Sequence, residues 1–366
     1  MISETMLNTR QQKWNIAFCM IVLITMVCSP CISQIDYDKI FPVLNQPIGA
    51  TNTATGDVPL QHIENDVNAG VHNPALLSVQ GALPISFSYS FLPADINRGS
   101  LVGAFTLKKA AMDVIAGLQY MNFGQLQGFN EEGQATSLIK ASESVFFLGA
   151  SRQLYDKLRL GAATKIIFSS LGEFNSSGMG FDLGAAYILE DSSSELGLVV
   201  KNLGFQFNAY GNEKEPFPVD IQAAWSVKLA HLPLRFGITA HKLNHWELRY
   251  DNPYNVDRIV NIDDPFADPS IKKYNMIDNV MRHLILHTEV RLGRKDGFRI
   301  RAAYNHFRKR ELSVNGTRSL AGFSLGAGIR VSKFYFDYGY SIYHLAGGVH
   351  ALSLGTNLKN FSKKSL

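Results

Sequence analysis

The sequence predicts an all-β fold: a 14-stranded antiparallel barrel crossing the bacterial outer membrane, with an N-terminal hatch or plug segment. Three observations carry this. From residue 83 onward, apolar and polar residues alternate with a period of two through about fourteen segments. The connections between segments run short, long, short again. No stretch after residue 33 approaches the roughly 18 apolar residues of a membrane helix, whereas a barrel strand meets lipid only at every second residue.

The chain opens on a leader. Arg10 and Lys13 precede an apolar run, Ile16 to Val27, of signal-peptide length, and the small residues before Gln34 place cleavage after Ser33. Cys31 as a lipidated cysteine is the less favoured alternative, because Pro30 precedes it. Cys19, Cys28 and Cys31 all fall in the leader, so residues 34–366 hold no cysteine for a disulfide, thiolate metal site or nucleophile. The formal net charge is +4; removing Glu4, Arg10 and Lys13 leaves about +3, too weak and dispersed for a nucleic-acid footprint. Residues 34–82 carry no strand pattern. They are too long for a plain loop and are expected to tuck inside the barrel as the hatch. Asn73-Pro74 within them is a turn signal.

The barrel follows over residues 83–361, with a short tail at 362–366. Ile85, Phe87, Tyr89 and Phe91 alternate with Ser86, Ser88 and Ser90, and Phe298, Ile300, Ala302 and Tyr304 alternate with Arg299, Arg301, Ala303 and Asn305. Charge sets the direction of the faces. Lys165, Asp220, Lys228, Arg299, Arg301, Arg330 and Asp337 share the polar face, and a cation facing lipid at mid-membrane costs roughly 2–4 kcal/mol. The apolar face is therefore lipid and the charged face lumen. Glycines 161, 184, 326, 328, 339 and 355 fall mostly on the lumen face, where strands bend or a packed segment comes close.

Short connections are expected at Lys108–Ala111, Leu154–Lys157, Glu190–Ser194, Ala230–Leu232, Gly293–Gly297 and Ser332–Lys333. The long ones, on the outer side, include Phe123–Ser142, Ser170–Ser176, Gly204–Pro218, Leu243–Met281 and Arg308–Ala321. This places both termini in the periplasm. The longest outer segment carries Trp246, Arg249, Tyr250, Tyr254, Phe266 and Tyr274, and aromatics and Arg are what interfaces favour. These six are the candidate partner-binding residues.

Chemistry is harder to find. His283 and His287 share a strand face, but four residues of strand separate them by about 13 Å, too far for one ion. Asp263, Asp264 and Asp268 lack the ligand ladder of a calcium loop. No nucleophile elbow or phosphate-cradling glycine loop occurs. The expectation is a non-enzymatic barrel with no cofactor and no metal.

Asn73-Pro74-Ala75-Leu76-Leu77 resembles the N-terminal signature of the FadL-like outer-membrane barrels, making Asn73, Pro74 and Ala75 a hatch motif. The run Lys201-Asn202-Leu203-Gly204, then Pro216-Phe217-Pro218-Val219-Asp220, and Thr239-Ala240-His241-Lys242-Leu243 resemble the PorQ group of that family, from the type IX secretion system of Bacteroidetes. The resemblance implies a 14-stranded barrel with a hatch. It further implies membership of a cell-surface attachment complex, with outer-membrane lipid and lipopolysaccharide around it. There it would anchor a PorZ-like surface protein beside PorU-like and PorV-like components. The alternative is the FadL-type role, a channel for uptake of hydrophobic molecules. The charges on the predicted lumen face count against an apolar path.

Overall fold

The computed structural model describes residues 40–57, 66–79, 82–130, 132–189, 193–248, 276–293, 297–312, 319–344 and 347–361. All lie in one compact unit, Asp38–Leu366. The expected leader and the C-terminal tail fall outside these residues.

Fourteen strands close into a barrel. They are β1 (Pro84–Phe91), β2 (Asn97–Leu107), β3 (Met112–Phe129), β4 (Ala135–Tyr155), β5 (Leu158–Leu171), β6 (Phe174–Ile188) and β7 (Ser194–Asn208). Then follow β8 (Asp220–Lys228), β9 (Leu234–Ala240), β10 (Leu284–Leu292), β11 (Phe298–Asn305), β12 (Phe323–Val331), β13 (Phe334–His344) and β14 (Gly347–Asn357). Each pairs antiparallel with its neighbours in sequence, and β14 closes onto β1 with Pro84 opposite Asn357. Closure removes the sheet edges that lipid could not satisfy.

The faces point as their charges require. Phe87, Leu101, Phe146, Phe168, Ile300, Leu325 and Leu354 are exposed on the outside, while Ser88, Ser100, Lys165, Arg299 and Arg301 are buried within. Lys228 and Arg330 are exposed, because each sits at a strand end where its head reaches water.

The turns at 108–111 and 332–333 occupy the expected positions, and the connection expected at Gly293–Gly297 lies mostly outside the described residues. Two expected outer connections are mostly strand. β3 and β4 stay paired up to Phe129 and Ala135, and β5 and β6 close at Gly172, whose φ of 59° turns the chain between Leu171 and Phe174. The upper ends of these hairpins are exposed on both faces, so the alternation that marks a half-buried strand fades there.

Inside the barrel lie the described parts of the N-terminal segment: a 3-10 turn at Pro42–Asn45, helix α1 (Ala50–Ala54), helix α2 (Ala69–His72) and a 3-10 turn at Pro74–Leu76. Nearly every residue in them is buried. These helices are too short to stand alone in water and depend on the wall around them. Lumen glycines make their seats. A Cβ on Gly161 would stand 2.5 Å from Ala75 N, one on Gly184 would strike the Asn73 side chain, and one on Gly339 would strike the Ala50 carbonyl. Two more helices, α3 (Met276–Arg282) and α4 (His306–Glu311), stand on the outer side above β10 and β11.

Candidate functional site: an apolar seam beside the plug

The lumen has two unlike sides. On the β10–β13 side, Glu289 accepts from Arg291 at 2.6 Å and from Arg301 at 2.7 Å, and Arg301 reaches on to Asp337 at 2.7 Å. Above this network Arg308 of α4 points down and pairs with Asp57 of the plug, which also accepts from the Tyr343 hydroxyl at 2.6 Å. Nearby, the Ala50 amide donates to Ser353 Oγ at 2.7 Å. The plug is thus tied to the charged wall, and through Arg308 to an outer helix.

On the β2–β5 side, apolar inward residues gather into clusters between polar ones such as Arg98, Gln119, Glu143 and Lys165. Toward the periplasmic turns, Val102, Ala104, Ile115 and Phe147 pack with Ile48, Val67, Val71, Leu77 and Val79 of the plug. Toward the outer rim, Met121, Val145 and Ile167 pack with Ile40, Phe41, Val43, Leu44 and with Phe217; Leu92 and Ile96 of the β1–β2 loop and Phe123 of β3 pack against this cluster. Leu44 and Val145 of the upper cluster and Ile48, Val71 and Phe147 of the lower one line a shared cavity of about 20 Å³. The two clusters therefore form one seam between plug and wall, running from the outer loops to the periplasmic end.

The seam meets a notch in the wall. β7 pairs with β8 only as far as Lys201 opposite Asp220, so its upper part, Asn202 to Asn208, has no strand partner on that side among the described residues. A β-bulge sets this up. Asp182 of β6 faces both Lys201 and Asn202, Asn202 takes a left-handed φ of 59°, and its amide donates to Asp182 Oδ1 at 2.8 Å. Side chains replace the missing ladder: Asn202 donates to the Pro218 carbonyl at 3.1 Å and Asn244 to that of Val219 at 2.8 Å. Phe217 fills the inner side of the notch against Gly178, Gly180 and Gly204.

Of the six candidate partner residues, only Trp246 is described; Arg249, Tyr250, Tyr254, Phe266 and Tyr274 lie outside the described residues. Trp246 is exposed on one face and stacks on His283 with the other, ring centroids 5.5 Å apart. The two His283 ring nitrogens face the carbonyls of His241 and Trp246, at 2.8 and 3.2 Å, and the one that carries the proton donates. His287 is buried two residues before Glu289 on the same strand face, and neither of its ring nitrogens has a hydrogen-bond partner among the described residues. The aspartates of the suspected calcium loop also fall outside the described residues, and no cluster of three metal-ligating side chains occurs among those described. The hatch motif residues sit together at the plug's lower turn. Asn73 Oδ1 accepts from the Ala75 amide at 3.0 Å, and its Nδ2 donates to the Leu198 carbonyl of β7 at 3.3 Å.

The expectation of a lumen filled by charge missed the seam. The available signal was the unbroken apolar run Val145-Phe146-Phe147-Leu148, which implies burial on both faces of β4.

No protein-family model and no curated protein matches the chain. Solved structures do. The toluene transporter TodX of Pseudomonas putida superposes with a TM-score of 0.50 at 12% identity, covering 85% of this chain and 97% of its own. CymD, a monoaromatic hydrocarbon channel, gives the same values. A FadL homologue of Pseudomonas aeruginosa gives a TM-score of 0.47 at 12% identity, over 84% and 98%. The two matches at a TM-score of 0.50 correct the attachment-complex expectation: one is described as a toluene transporter and the other as a monoaromatic hydrocarbon channel, and neither as a secretion component. The role of anchoring a PorZ-like protein beside PorU-like and PorV-like partners falls with it. The short central motifs behind that expectation lie at the wall notch and its covering loop, where they shape the barrel itself. The chain is an outer-membrane β-barrel of the FadL-like fold, fourteen strands closed around an N-terminal plug.

Proposed function

We propose that the barrel is a passive channel for small hydrophobic molecules. The observation that carries this is the apolar seam, two packed apolar clusters lying end to end along β2–β5 with polar residues such as Glu143 and Lys165 beside them, while the Glu289–Arg301–Asp337 network sits on the opposite wall. An apolar solute gains about 25 cal/mol per Å² on leaving water for such a surface. The wall notch, filled by Phe217, becomes a side opening from the seam toward the outer leaflet when that ring moves aside, so cargo need not traverse the whole lumen. The likeness in fold to a toluene transporter and a monoaromatic hydrocarbon channel supports a cargo of that size. As described, the seam is closed by plug side chains, so passage requires the plug to shift.

The test is uptake of radiolabelled toluene by cells with and without the protein, at matched expression of other porins. Faster uptake with the protein is expected, and slower uptake with Val145→Arg, which sets a charge in mid-seam. Equal uptake with and without the protein sinks the reading.

A further inference from the structure

The outer helix α3 is built inside out. A helix on a water-facing surface turns its apolar side to the protein and its polar side to solvent. In α3 the arrangement is reversed. Asn279 and Arg282 are buried, and both are spent on the barrel. Asn279 accepts from the Leu248 amide at 3.2 Å and donates to the Trp246 carbonyl. Arg282 pairs with Asp278 at 2.9 Å and with Glu311 of α4. Asp278 is engaged by α4 as well, through Arg310 at 2.7 Å and His306 at 3.1 Å. What faces out is Met276, Ile277 and Val280, which are 61%, 74% and 36% exposed, and no charged residue of α3 is exposed. A lone exposed apolar residue needs no explanation; a helix face with its polar groups withdrawn does.

The strands below supply one. β9 and β10 hold only 7 and 9 residues. At about 3.3 Å per residue and a 45° tilt they climb about 16 and 21 Å, short of an apolar band of about 25 Å. Strand alone therefore leaves the top of the band uncovered on this side. α3 stands at that gap. It leads through His283 directly into Leu284 and Leu286 of β10, the row that faces lipid, and a seven-residue helix adds about 10 Å of rise. Trp246, tied to Asn279, leaves one ring face exposed at the same rim, and Trp is enriched where acyl chains meet headgroups.

We infer that the Met276–Ile277–Val280 face of α3 is a lipid-docking surface, which takes the acyl chains of the outer leaflet and completes the apolar belt above β9 and β10. Continuity with the lipid-facing row of the wall fixes the occupant. The inference is independent of what the barrel carries.

The test places a nitroxide on Ile277→Cys and on Val280→Cys, in whole barrels reconstituted one to a lipid nanodisc. Collisions of the label with oxygen, which concentrates among acyl chains, are compared with collisions with a water-soluble nickel chelate. Leu286→Cys, on the lipid face of β10, and Thr136→Cys, exposed high on β4, are the references. The unsubstituted protein, taken through the same labelling, gives the background, and the heat-modifiable gel shift checks that each variant is folded. The logarithm of the oxygen-to-nickel ratio should be positive for Ile277→Cys and Val280→Cys, as for Leu286→Cys, and negative for Thr136→Cys. A negative value for Ile277→Cys puts the helix face in water and overturns the inference. Few collisions with either reagent mean that other protein of the same chain covers the face, since a second copy is excluded from the disc, and this overturns the inference equally.

Discussion

Gly161→Ala tests whether the plug is seated by wall glycines. The new Cβ would lie 2.5 Å from Ala75 N and 2.7 Å from Pro74 O, where ordinary contact begins at 3.4 Å. Both are backbone atoms, so no side chain can swing aside; the Pro74–Leu76 turn must retreat by almost 1 Å. Overpacking of this kind costs about 1–3 kcal/mol. The strain falls on the contact between wall and plug and is relieved when the plug leaves its seat. The ratio of seated to unseated plug should therefore drop by about 5- to 150-fold. Single-channel recording in planar bilayers reads this directly: the wild type should be closed nearly all the time and Gly161→Ala should open often. Gly211→Ala, where a Cβ meets nothing within 4 Å, is the control. If folded Gly161→Ala opens no more often than Gly211→Ala, the idea that lumen glycines hold the plug is wrong.

Three further outcomes are expected. Arg308→Met leaves Asp57 buried without its cation, a loss of roughly 3–5 kcal/mol, and should expose the plug to added protease in intact outer membranes. Gly204→Val should lower the temperature of the heat-modifiable transition, because even its Cβ would stand 2.5 Å from the Phe217 ring. Acid should loosen the outer helices. Partial burial works to raise the Asp278 carboxyl, but hydrogen bonds from Arg282 and His306 and the charges of Arg282 and Arg310 outweigh it and hold it at about 2, below the ordinary 3.8. A depressed carboxylate stabilises above its unfolded value and loses that contribution as pH falls through the folded one. Amide protection of α3 and α4 should thus be flat from pH 7 to about 5 and fall between about pH 4 and 2; a fall already complete at pH 5 would exclude Asp278 as the cause.

Much of the fold was legible because one rule, that charge avoids lipid, orients every strand. Lys165, Arg299 and Arg301 fixed their faces by residue type alone. The same rule misled about the lumen. It says which residues face inward and nothing about how inward residues sort around the circumference, which depends on which strands share a plug contact. Val102, Ile115, Met121 and Phe147 come from three different strands, and only the register of β2, β3 and β4 makes them neighbours. The bulge at Asp182 was equally hidden, since Lys201-Asn202 reads as ordinary polar strand until its partner is known. The polar residues beside the shared cavity were harder still: His72, Gln119, Lys165 and Lys201 lie far apart in sequence and meet only across the plug.

The unequal hairpins bear on how anything approaches the mouth. β3 and β4 run for 18 and 21 residues, β8 to β12 for only 7 to 9. At about 3.3 Å per residue and a 45° tilt, an 18-residue strand climbs about 42 Å against an apolar band of about 25 Å. A rigid crest therefore stands clear of the bilayer on one side of the barrel, among the sugar chains of neighbouring lipids. The mouth is thus walled by strand on the side of the seam, and a molecule arriving there meets the faces of β3 and β4 before it meets the plug.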